Sequence, residues 1–225
     1  MMVGTCPSRR ERIFRPRAVS SLIEVLNLIG QGIDLPAGDY QASAVPWPDA
    51  ISWSLQELRL YLAAAADPGI QARRTRCLPW TVPDLTAHLA ATFRRFVDQL
   101  DKARAGNLDP PFPPDQLPAV NLRAVGDFRV DPLTELSQQA RRFLGSVGRV
   151  DELIGHQRGP IPAGLQVMFG LNELAVHHDD LAHAAGGSYR PRREVVAALA
   201  TMYGAVHGMS SGPDPWASLL QATGR

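Results

Sequence analysis

The chain has 225 residues, 45% of them hydrophobic and 20% charged, with a formal net charge of +1. That length accommodates one good-sized domain, or a domain with an extension. The charge balance excludes an overall basic field for nucleic acid or an acidic membrane, and no apolar run reaches the roughly 20 residues of a membrane helix. Two cysteines, Cys6 and Cys77, form no CxxC pair and no disulfide framework, which favours a reducing, cytoplasmic setting.

Residues 1–48 read as an N-terminal extension, partly disordered or holding one short helix around Ser20 to Leu28. An arginine cluster (Arg9, Arg10, Arg12, Arg15, Arg17) comes first. The apolar stretch behind it is broken by Glu24, Asn27, Gly30 and Gln31, so a signal peptide is not expected. Residues 49–225 read as one helical domain. A helix is predicted from about Pro48 to Ala66, with Leu55, Leu58, Leu62 and Ala65 at helical spacing, ended by Asp67-Pro68-Gly69. A second runs from Val82 to about Arg104, opened by the pair Thr81 and Asp84 in a T-x-x-D capping box. Its core stripe is Val82, Leu85, Leu89, Phe93, Phe96 and Leu100. A Pro-rich connection, Asp109 to Pro118, is too long for a minimal hairpin and reads as a crossover or a site rim. Further helices are predicted over Pro132 to Val147, Pro162 to Ala185 and from Pro191 to before Gly208, with a short segment over Pro215 to Ala222. No strand alternation and no repeat is evident. The fold class is therefore all-α, and a bundle is the usual way to bury so many amphipathic helices.

The helix over Pro162 to Ala185 carries the most information. It has no charge from Gly159 to Asn172 and presents a wide apolar arc, which predicts burial. Glu173, His177 and Asp180 interrupt that arc on one stripe, within roughly 60° of each other at the helical angle. Burying a carboxylate there is costly unless it is paired or bound to a cation. Glu173 and His177 stand at i, i+4 and can hold a divalent metal through oxygen and imidazole nitrogen. By spacing alone, such a pair is more often a surface or hydrogen-bonded pair. His178 points roughly 140° away from Glu173, toward the aliphatic arc. His88 borders the apolar stripe of its helix, a position that fits either a crevice or a half-exposed histidine. His156, His183 and His207 share no face with Glu173 or lie near loops. Arg73, Arg74 and Arg76 read as a solvated loop, Trp80 as a staple before the second helix, and Cys77 as a thiol without a matched base.

The segment Trp80-Thr81-Val82-Pro83-Asp84-Leu85-Thr86-Ala87-His88-Leu89 resembles the opening signature of the mycothiol-dependent maleylpyruvate isomerase N-terminal family, within the DinB-like superfamily. The run from Glu173 through His177, His178, Asp179 and Asp180 to Leu181-Ala182 is similar to its second signature, with His178-Asp179 where a Trp usually precedes the final Asp. The ending Leu219-Leu220 to Thr223-Gly224-Arg225 is similar to the close of these bundles. The resemblance implies a DinB-like four-helix bundle following the N-terminal extension. It implies a divalent metal, usually zinc, on His88, Glu173 and His177; Asp180, on the same stripe, is then the residue expected to orient a ligand histidine. It also implies mycothiol, the low-molecular-weight thiol of actinobacteria, as cosubstrate. The expected activity is metal-dependent thiol transfer or addition–isomerisation on an electrophilic small molecule. The isomerase carries a further C-terminal domain that helps form its active site, and this sequence ends at Arg225, so isomerisation of maleylpyruvate itself is not the expected reaction. A non-catalytic metal-binding or regulatory bundle is the alternative, and a bundle whose Glu173–His177 pair is only a buried hydrogen bond is a third. Expected partners are a small-molecule substrate and a thiol, not nucleic acid or membrane, with a homodimer as one assembly state.

Overall fold

A computed structural model describes residues 47–149, 151–157, 159–207 and 212–225. The helix expected near Ser20 to Leu28, and the extension that would carry it, lie outside the described residues. Helix α1 spans Trp47–Ala65 and α2 spans Val82–Arg104. A 3-10 turn, Pro114–Gln116, leads into α3, Leu117–Gly126. Helix α4 covers Pro132–Ser146, α5 Ala163–Ala184, α6 Arg193–His207 and α7 Pro215–Ala222.

Four of these helices close a ring. Helix α2 packs along α4, α4 against α1, α1 along α5, and α5 back against α2. Consecutive α1 and α2 therefore sit nearly diagonal, and so do α4 and α5. The remaining helices are accessory: α3 covers α2, and α6 joins α5 to α7.

The predicted stripe of α2 is the observed one, with Val82, Leu85, Leu89, Phe93, Phe96 and Leu100 all buried. Its N-terminus is fixed as the sequence implied. The Asp84 carboxylate accepts the Thr81 N–H at 2.9 Å and the Thr81 hydroxyl at 2.7 Å, which satisfies one of the orphan donors of a helix start. Helices α2 and α5 run antiparallel. A Cβ placed on Gly170 would meet the Phe93 ring at 3.1 Å and Phe96 at 3.7 Å, while His88, toward the start of α2, meets Glu173 and His177, later in α5. Glycine at 170 thus lets two aromatic rings of α2 approach the α5 backbone, one helical turn from the polar residues.

Three expectations change. The buried face of α1 is Ala50, Ser54, Glu57, Leu58, Tyr61 and Ala65, whereas Leu55 is exposed. The stripe is rotated because α1 also turns the polar side chains Ser54 and Glu57 inward. The Pro-rich connection does not run on as a loop but passes into α3, whose buried residues are only Leu117 and Asn121; one apolar anchor leaves no periodicity to read. A two-stranded antiparallel hairpin, Leu153–Ile154 with Ile161–Pro162, precedes α5. Two residues per strand carry no alternation.

Two glycines test the packing. In the hairpin turn, a Cβ on buried Gly155 would lie 2.6 Å from the Asp109 carbonyl oxygen. Gly145, in the last turn of α4, has nothing within 4 Å of that position. Gly155→Ala is expected to lower stability by about 1–3 kcal/mol through overpacking, and Gly145→Ala to leave it unchanged or raise it by up to about 1 kcal/mol. Urea denaturation of both variants measures the pair, and equal effects would mean that the 155 contact is not built as described.

Candidate metal centre

Adjacent helices α2 and α5 bring together three side chains that lie 85 and 89 positions apart in sequence (173 − 88 and 177 − 88). His88 Nε2 is 3.4 Å from Glu173 Oε2, and His177 Nε2 is 3.3 Å from the same oxygen. The imidazole rings stand edge to face, 5.2 Å between centroids. One ligand atom from each of the three residues falls within 4.8 Å of the others, and all three side chains are buried. His88, for which half-exposure was an alternative, is 1% exposed. The Trp80 ring lies 4.9 Å from the His88 ring, so this residue roofs the histidine rather than serving only as a staple.

Behind His177 stands a second layer. Its Nδ1 lies 2.8 Å from Asp180 Oδ2. Arg225 grips Asp180 with both arms of its guanidinium, Nε to Oδ1 at 3.0 Å and Nη2 to Oδ2 at 2.6 Å. The Cys77 thiol completes the cluster, 3.2 Å from Asp180 Oδ2, 3.2 Å from Arg225 Nη2 and 3.8 Å from His177 Nδ1. A tight turn holds it there. Thr75 N–H donates to the Trp80 carbonyl at 2.9 Å, Cys77 N–H to Thr75 Oγ1 at 3.2 Å, and the Leu78–Pro79 peptide is cis. Cys77, His177 and Asp180 form a second group of donor atoms close enough to share an ion. The Arg225 cation sits against both Cys77 and Asp180, and that positive charge opposes a second one there.

The protonation states follow from burial and pairing. Burial opposes a charge on His88, more strongly than the Glu173 carboxylate favours one, and lowers its pKa to about 4. The ring is therefore neutral near pH 7, with a lone pair to offer. Burial also opposes ionisation of Glu173, but hydrogen bonds from His177 and His88 outweigh it and hold the carboxyl well below the ordinary range. Asp180 follows the same pattern, with burial overcome by His177 and Arg225. For His177 burial disfavours the charge, yet Cys77, Asp180 and Glu173 together raise its pKa well above the ordinary value.

The other candidates lie elsewhere. His178 is buried and faces away from Glu173, as its angle implied. Its surroundings are aromatic rather than aliphatic: it stacks on Tyr189 at 3.6 Å, meets Tyr61 edge-on, and lies 4.0 Å from Glu57. The arginine loop is not simply solvated. Arg76 pairs with the buried Asp179 at 3.0 Å, and Arg73 donates to the Ala184 carbonyl at 3.2 Å at the end of α5, where a cation is favoured. His183 is exposed beside Arg76, and His156 lies in the loop that meets Phe169. Sequence reasoning missed the roles of Cys77 and Arg225. Both stood inside or beside the quoted motifs, but only the fold brings them to Asp180.

A profile of the family described as "Mycothiol maleylpyruvate isomerase N-terminal domain" matches residues 54–182, more than half of the chain. The chain belongs to that family. His88, Glu173 and His177 all fall inside the matched segment. Among solved structures, the crystal structure of the mycothiol-dependent maleylpyruvate isomerase is similar at 15% identity with a TM-score of 0.54, covering 69% of this chain and 68% of that one. A histidine-to-alanine mutant of the mycothiol-dependent maleylpyruvate isomerase is similar at 14% identity with a TM-score of 0.55 and the same coverage. At those identities the likeness shows the fold, a DinB-like helical bundle. No curated protein matches the chain.

The Arg225–Asp180 pair has a measurable weight. Removing one member of a buried ion pair strands the other and costs about 3–5 kcal/mol. Arg225→Met is expected to lose stability in that range at pH 7, and Asp180→Asn with Arg225→Met to lose less than the sum of the single variants. Additive losses in a double-mutant cycle would show that the two side chains are not coupled.

Proposed function

We propose that His88, Glu173 and His177 hold a divalent metal, zinc in the first instance, and that this mycothiol maleylpyruvate isomerase family member uses it to activate a low-molecular-weight thiol, mycothiol, toward an electrophilic small molecule. Residues 49–225 form the metal-binding bundle in this reading, and thiol transfer or addition–isomerisation is the reaction class. The observation that carries it is the convergence of two imidazole nitrogens on one carboxylate oxygen at a buried position between α2 and α5.

The donor set fits the metal. Two histidines and one glutamate are a ligand set of catalytic zinc, in which three protein ligands leave a position open. A buried, ionised glutamate also calls for a positive partner, and a divalent cation meets that need more fully than two histidines, one of them neutral. When bound, the metal supplies Lewis acidity that lowers the pKa of a thiol placed at the open position.

The chain's own residues do the rest. The Asp180 carboxylate holds the proton on His177 Nδ1, which leaves Nε2 as the nitrogen turned to Glu173. Such carboxylate–histidine pairs fix the tautomer and orientation of a ligand ring. Arg225 fixes Asp180 in turn, by two bonds. The Trp80 ring covers one side of His88.

Elemental analysis of the purified chain should give one zinc per protein. His177→Ala should abolish stoichiometric zinc, while His178→Ala, which faces Tyr189 and Glu57, should retain it. The raised pKa of His177 means that zinc must displace a proton there, so affinity should fall about tenfold for each pH unit below that pKa. Zinc-loaded protein should consume mycothiol together with an electrophile, and chelator should stop it. Equal zinc loss in the two histidine variants would refute the ligand assignment; zinc binding without any thiol consumption would refute the enzymatic reading and leave a metal-binding module.

A further inference from the structure

An open cavity of about 280 Å³ lies between α2 and α3. One wall is apolar, with Phe112, Val120 and Ala124; the other carries Arg94, Arg95 and Lys102. The arginines differ in how their charge is met. Arg94 is exposed and donates through Nε to Glu135 at 3.1 Å. Arg95 is only partly exposed, and its bonds go to neutral oxygens, Nη1 to Asn121 Oδ1 and Nη2 to Thr92 Oγ1, both at 3.2 Å. Among the described residues no carboxylate forms an ion pair with it.

A guanidinium has five N–H donors, and those two bonds leave the others for a bidentate acceptor. The guanidinium carbon lies over the Phe112 ring, 5.6 Å from its centroid. Burial lowers the Arg95 pKa to about 10, and the more distant charge of Glu173 offsets this only in part. Asp98 also lines the cavity but is exposed to solvent. Gln99, on the same wall, is buried, and its amide oxygen has no hydrogen-bond partner. A partly buried guanidinium with no ion-paired carboxylate is met by an anion in the cavity, whereas the Gln99 amide oxygen, itself an acceptor, needs a donor instead.

We propose that this cavity binds a small organic acid, with its carboxylate on the Arg95 guanidinium and its carbon body against Phe112 and Val120. Guanidinium and carboxylate match as a two-bond fork, and the apolar wall favours a carbon-bearing acid over inorganic phosphate. Arg95 follows His88 by seven residues on α2, two turns and about 10.5 Å along the axis on the same side of the helix. Binding rests on the cavity alone.

The test is calorimetric titration of the full chain, kept metal-free with chelator, using succinate and inorganic phosphate as probes. Succinate is expected to bind saturably at one per chain, with phosphate at least about tenfold weaker. Arg95→Gln should weaken succinate at least about tenfold, a loss of one charge-assisted pair. Ala124→Phe fills the cavity, leaves every charge in place and should do the same. Absence of saturable succinate binding, phosphate binding as tight as succinate, or wild-type affinity in either folded variant overturns the proposal. Because no metal is present, none of these results depends on whether His88, Glu173 and His177 hold zinc.

Discussion

A carboxylate ionised inside an apolar bundle must be surrounded by positive charge or hydrogen-bond donors, and two of the buried carboxylates among the described residues, Glu173 and Asp180, lie at the candidate site. Each is met from a different part of the chain. Glu173 is faced by His88 from α2 and His177 from its own helix. Asp180 is faced by His177 and by Arg225, the last residue of the sequence. His177 stands between the two carboxylates and touches both. A single imidazole therefore couples the candidate metal pocket to the packing of residues 223–225 against α5, and a change at either end is felt at the other.

That coupling needs α2 and α5 to be neighbours at close range. The ring of four helices makes them adjacent although α3 and α4 intervene in sequence. Gly170 lets the Phe93 and Phe96 rings approach the α5 backbone. The apolar half of this contact, below the histidines, sets the distance at which the polar half meets. The same helix α2 carries polar residues further on, Thr92 and Arg95, and Arg95 reaches Asn121 of α3.

Much of this was legible in the sequence because the relevant signals were periodic. The stripe of α2, its Thr81–Asp84 start and the shared face of Glu173, His177 and Asp180 all follow from helical angles within one element. The position of His88 was ambiguous because a border residue is buried or exposed according to which helix lies beside it. Helix α3 and the hairpin before α5 were not read: one has a single buried apolar anchor, Leu117, and the other has strands of two residues. The inward turn of Glu57 was hidden for a related reason, since its partner Tyr189 lies 132 positions away. Cys77 and Arg225 were visible as residues, but their meeting at Asp180 depends on the turn 74–81 and on how the chain returns after α7.

The claim on which the functional account rests is that zinc chooses His88, Glu173 and His177 over the neighbouring Cys77, His177 and Asp180. X-ray absorption at the zinc edge of the loaded protein distinguishes them directly. The account predicts a first shell of nitrogen and oxygen alone at about 2.0–2.1 Å, including two imidazoles. A sulfur scatterer at about 2.3 Å would place the metal on Cys77 and contradict it.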